Sequence, residues 1–170
     1  MKPYYPQAMS LRSIFLAAGI VTIIAAPSLP FPIWAQGLQP LLGTWRVNLA
    51  ESTFADGAPY RRVTCKIAPW EDGLKVIYDI VGTRGGVTHW EWRGKLDAKD
   101  YTLQGVEAVV TNAYTQIDER TYTTVVKEDG RVTTTSKITI SADDKVMTVT
   151  STTPNAQGQQ VVNTVVYDRQ

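Results

Sequence analysis

Strict alternation of apolar and polar side chains runs through most of this chain and sets its periodicity at two. The sharpest stretch is Val87 to Leu96, where Trp90 and Trp92 share one face and His89, Glu91, Arg93 and Lys95 the other. Arg61 to Ala68 does the same, with Val63, Cys65 and Ile67 opposite Arg62, Thr64 and Lys66. In Leu74 to Val81, Leu74, Val76, Tyr78 and Ile80 stand opposite Lys75, Ile77, Asp79 and Val81. Further strands are predicted at Gly43–Asn48, Tyr101–Gln104, Val109–Ile117, Arg120–Lys127, Arg131–Ile140, Lys145–Thr152 and Gln160–Asp168. From Val109 onward threonine and valine populate both sides, so the faces there stay open.

Turn signals separate these runs. Trp70-Glu71-Asp72-Gly73 carries the Asp-Gly hairpin pair, and Gly82 to Gly86, Asp97 to Asp100, Glu128-Asp129-Gly130 and Ala142 to Asp144 read as further turns. Leu49 to Pro59 reads as a loop with room for one helical turn over residues 49–52. No segment sustains a helical period, and the count is about ten strands. A meander of hairpins must deal with its two edges, and the simplest solution is closure into an all-β, up-and-down antiparallel barrel. A barrel of that strand number is wide enough to keep a cavity. A two-sheet sandwich is the rival, but it would need longer crossover connections than this chain offers.

The N-terminus departs from this pattern. Lys2 and Arg12 precede an apolar run from Ile14 to Ala26, followed by Pro27, Pro30 and Pro32 and by Ile33-Trp34-Ala35. This predicts a signal peptide over residues 1–35, with cleavage after Ala35 or, alternatively, after Ala26, and a secreted or periplasmic location. The competing reading is an uncleaved anchor, against which the short apolar core and the prolines argue. A lead-in follows over residues 36–42, before a barrel domain over 43–170.

The chain has 170 residues, with 17 basic and 16 acidic side chains. Removing Lys2 and Arg12 leaves 15 basic against the 16 acidic, a net charge of −1. That balance argues against nucleic acid as a partner. The single Cys65 rules out an intrachain disulfide and reads as a buried thiol. About 135 remaining residues suffice for an independent core.

Gly43-Thr44-Trp45 opens the first strand, His89-Trp90-Glu91-Trp92 lies mid-chain and Tyr167-Asp168-Arg169 closes the last strand. With these motifs the chain resembles the lipocalin and fatty-acid-binding-protein (calycin) superfamily over residues 43 to 169. More closely, it resembles secreted bacterial lipocalin-like domains. The resemblance implies a calyx for a small apolar or amphipathic molecule. It departs from intracellular fatty-acid-binding proteins, whose helical lid has no room in 49–59, and from animal lipocalins in lacking their disulfide.

These residues yield two sets of candidates. Gly43, Trp45 and Arg169 are read as structural closure, the guanidinium lying across the indole. Tyr78, Trp90, Trp92, Tyr114 and Tyr122 are read as the interior wall that would touch a ligand. His89, Glu91 and Asp79 are the only basis for an enzymatic reading, and no nucleophile stands at a telling spacing. The expectation is therefore no catalysis, no metal and no cofactor, in a monomer whose mature chain does not span a membrane. The second functional reading is a barrel packed shut, serving as a protein-interaction or envelope-structural module; threonine and valine on both faces suit it.

Overall fold

The computed structural model describes residues 37–155 and 157–170; the predicted signal segment and its cleavage sites lie outside them. Ten strands follow in chain order: β1 Gly43–Thr53, β2 Tyr60–Trp70, β3 Gly73–Gly82, β4 Val87–Gly94, β5 Tyr101–Gln104, β6 Val110–Asp118, β7 Thr121–Glu128, β8 Arg131–Ile140, β9 Val146–Pro154 and β10 Gln160–Arg169. Every strand pairs with its sequence neighbour, and β1 pairs antiparallel with β10, so the sheet closes on itself. The expected up-and-down barrel is the observed architecture, and the sandwich is excluded.

Closure runs along the register Trp45↔Arg169, Arg46↔Asp168, Val47↔Tyr167 and Asn48↔Val166. Inside, the buried residues recur at period two: Val63, Cys65 and Ile67 on β2, Leu74 and Val76 on β3, Ile138 and Ile140 on β8, and Val165 and Tyr167 on β10. The core sits toward the end of the barrel that holds the start of β1 and the end of β10. There Leu38, Leu41 and Leu42 join the same cluster, so residues 37–42 lie across that end. Gln116 Nε2 donates to the Gly37 carbonyl at 3.2 Å, which ties the segment to β6 on the far wall.

Two expectations need correction. The segment read as a loop from Leu49 is strand as far as Thr53, and the register jumps from Asn48↔Val166 to Thr53↔Thr164. The extra residues form an irregularity whose lost ladder bonds are replaced by side chains. Ser52 Oγ donates to the Asn48 carbonyl at 2.6 Å and accepts from the Val166 amide at 3.0 Å, while Asn48 Oδ1 accepts from the Glu51 amide at 3.3 Å. The helical turn expected over 49–52 is therefore a bulged stretch of strand.

The second correction concerns Asp72-Gly73. Trp70 pairs with Gly73, so the turn is Glu71-Asp72 alone, with Glu71 at φ 49°. Gly73 is needed for another reason: a Cβ there would overlap the backbone carbonyl of Gly94. What reads as turn chemistry is close contact between β3 and the end of β4. That strand ends at Gly94, two residues short of the predicted Leu96.

Candidate functional site

The barrel interior has two unlike halves. In the half closed by 37–42, Trp45 and Trp92 are fully buried. Trp45 Nε1 donates to the Leu41 carbonyl and Trp92 Nε1 to the Asn112 carbonyl, both at 2.9 Å. Trp92 also packs on Tyr114, with ring centroids 4.5 Å apart, and edge-on against Tyr101 at 5.8 Å. Tyr122 is fully buried as well, its hydroxyl donating to the Glu119 carbonyl at 3.0 Å.

Arg169 finishes this end. Its guanidinium carbon lies 4.2 Å from the Trp45 ring centroid. Its nitrogens donate to the carbonyls of Asp144, Leu42 and Pro40, the last at 2.5 Å. Gly43 has φ 136°, and a Cβ on it would stand 2.5 Å from an Arg169 nitrogen. The absent side chain is what lets the guanidinium reach across the first strand.

Toward the opposite end the packing loosens. Tyr78 and Trp90, paired across β3 and β4, stack at 4.2 Å with planes 21° apart. Both pack against the core and point inward, yet neither is fully buried. Ile80, Leu103 and Val149 behave likewise. Phe54 and Tyr60, ring edge to ring face at 5.5 Å, stand near the rim between β1 and β2.

Opposite this aromatic wall the inward positions include several small polar side chains alongside Val149 and Val161. Following the period from buried Ile138 places Ser136 and Thr134 inside, and their partners place Ser151, Thr153 and Asn163 there too. Thr134 Oγ1 and Thr153 Oγ1 meet at 3.5 Å, as residues on one face must. All five are half-buried.

Between the two halves lies a cluster of neutral polar groups. It is made of Tyr78, Cys65, Tyr167, Tyr114 and Asn112, of which all but Tyr78 are buried. Burial pushes the phenols of Tyr78, Tyr114 and Tyr167 well above their ordinary range. The Tyr60 and Tyr122 phenols are pushed up to about 12 by the same desolvation, and the Cys65 thiol also to about 12. All of these groups stay protonated at neutral pH. Asn112 Oδ1 is buried and has no hydrogen-bond partner. The raised thiol pKa together with full burial predicts that Cys65 reacts with a disulfide reagent such as DTNB only after denaturation; rapid stoichiometric labelling of folded protein would refute this.

The outer wall has its own chemistry. His89 Nδ1 lies 2.7 Å from Asp79 Oδ1, both exposed. Glu91, read from the sequence as part of an exposed face, is instead largely covered. It pairs with Lys75 at 2.8 Å and with Arg93, and the hydrogen bond from Lys75, ahead of that from Arg93, lowers its pKa. Arg93 and Lys75 in turn lie over Trp70, at 4.4 and 5.3 Å from its ring centroid. The three acid-base candidates thus face outward in two separate ion-pair groups. Among the described residues no group of three or more His, Cys, Asp and Glu side chains is placed to hold a metal ion, and no helix is long and apolar enough to cross a membrane.

The sequence named Tyr78, Trp90, Trp92, Tyr114 and Tyr122 together. The structure divides them: Trp92, Tyr114 and Tyr122 stand in the packed half, whereas Tyr78 and Trp90 stand in the looser half. The inward hydroxyls on β8 and β9 were not legible, because threonine and serine alternate there with more threonine. Two outer-wall grooves of about 500 and 540 Å³ are bordered by Arg46 and Arg62, and none of the five aromatics lines either.

The sequence matches no family model and no curated protein. Among solved structures, a siderocalin named Ex-FABP, described as functioning through dual ligand specificities, is similar over 77% of this chain and 71% of its own. The identity is 15% and the TM-score 0.35. The architecture therefore rests on the strand order and closure described above.

Proposed function

We propose that the protein is a binding protein of the lipocalin-like type, which takes a small apolar or amphipathic molecule into the loosely packed half of its barrel and acts outside the cytoplasm. The observation that carries the reading is the stacked Tyr78–Trp90 pair. Its rings point inward from paired positions on β3 and β4 and pack against the core, yet both residues keep accessible surface. An inward side chain with accessible surface borders a space that a small molecule can enter. Burial of an apolar body against these rings would drive binding, with neighbouring polar groups fixing its orientation.

The packed-shut module keeps one observation in its favour, since the outer-wall grooves lie away from the aromatic pair. One titration separates the two readings. Adding Nile red to folded protein is expected to give a saturable rise in dye emission and quenching of tryptophan emission. Trp90→Ala should weaken binding at least about tenfold, the loss of a large aromatic contact, while leaving the far-UV circular dichroism unchanged. Absence of a saturable response to Nile red, decanol and decanoate alike would favour the module.

A further inference from the structure

The interior's charge distribution narrows the class of ligand, on the reading that the looser half is a container. Among the described residues, the inward positions between the two rims carry no charged side chain. Arg169 lies at the closed extreme, and its guanidinium is already engaged by three carbonyls and an indole face. At the open rim, Glu128 shares the inward face of Val126 and is exposed. Arg61 is also exposed there and donates to the Thr83 carbonyl at 2.8 Å.

Between these ends the polar groups are neutral: the phenols of Tyr78, Tyr114 and Tyr167, the Asn112 amide, and the hydroxyls of Thr134, Ser136, Ser151 and Thr153. An ionised carboxylate or ammonium entering such a space would lose its hydration with no counter-ion to replace it. A hydroxyl or carbonyl would lose far less and could exchange water for these donors and acceptors.

We infer that the barrel selects uncharged amphipathic molecules, with an apolar body and at least one hydroxyl or carbonyl group, over anionic lipids such as fatty acids. The selectivity comes from what the wall omits as much as from what it offers, since a neutral lining discriminates against charge without any dedicated repulsive residue.

The test compares two ligands of equal chain length, 1-decanol and decanoate, competing with Nile red at pH 8 below their aggregation limits. Decanol is expected to displace the dye at a concentration at least about tenfold lower than decanoate, the discrimination expected from burying an uncompensated charge. Tyr78→Phe, which keeps the ring stack and removes one phenol, should narrow that ratio by weakening decanol alone. Equal or tighter binding of decanoate would overturn the inference while leaving the container reading in place. Failure of both, with the dye also unbound, would overturn the container reading as well. An unchanged ratio in Tyr78→Phe would remove that phenol from the account.

Discussion

Arg169→Ala is expected to lower the unfolding free energy by about 2–4 kcal/mol, read as a lower urea midpoint at unchanged m-value. The estimate combines a partly desolvated cation–π contact with hydrogen bonds to a charged donor. The guanidinium joins four groups from two segments of the chain: the Trp45 ring, the carbonyls of Pro40 and Leu42, and the Asp144 carbonyl in the turn after β8. Truncation would leave three carbonyls without their donor and the indole without its cover. Arg169→Lys should recover only part of the loss, because an ammonium is a single compact donor centre and cannot span carbonyls on both sides of the first strand. A loss below about 0.5 kcal/mol for the alanine variant, the level of an ordinary surface substitution, would show that strand pairing alone holds the seam.

Trp92→Ala should cost more, about 3–5 kcal/mol, the range for removing a large aromatic from a packed interior. Trp92 has no accessible surface, donates to the Asn112 carbonyl, and is gripped by Tyr114 and Tyr101. Its own strand neighbour supplies the control. Trp90 lies two residues earlier on the same face, but in the looser half, so Trp90→Ala should cost appreciably less stability and more ligand affinity. Chemical denaturation of both variants, with and without Nile red, tests the division directly. Equal losses of stability would mean that the interior is uniformly packed.

Strand number, order and closure were readable because their cause is local. Two-residue alternation fixes a strand, short Asp-Gly and Gly-rich turns fix antiparallel neighbours, and ten such strands leave two edges that must meet. The inward face of β2 to β4 was readable for the same reason, since Val63, Cys65 and Trp92 alternate with charged residues. Beyond Val109 the alternation is threonine against valine, both of which suit either side of a sheet, so only the register with Ile138 and Met147 reveals which hydroxyls point inward. Asn48 was visible as part of the opening motif, but its work at the bulge depends on Ser52 and Val166, a partner more than a hundred positions away. Likewise the difference between Trp90 and Trp92 depends on what covers each end of the cylinder. The lead-in covers one end, and nothing in an alternating pattern says which.

The seam between the first and last strands also governs when this protein can become itself. Asn48 Nδ2 donates to Asp168 Oδ2 across a separation of 120 residues, and every rung of that ladder is comparably distant in sequence. Hairpins between successive strands form from residues close in sequence, whereas β1 keeps an unpaired flank until β10 has folded against it. Such long-range pairing slows the final step and leaves a sticky ribbon exposed meanwhile. Arg46 and the bulge that interrupts β1 lie along that flank, where charge and irregularity discourage a partly folded chain from pairing with a neighbouring molecule.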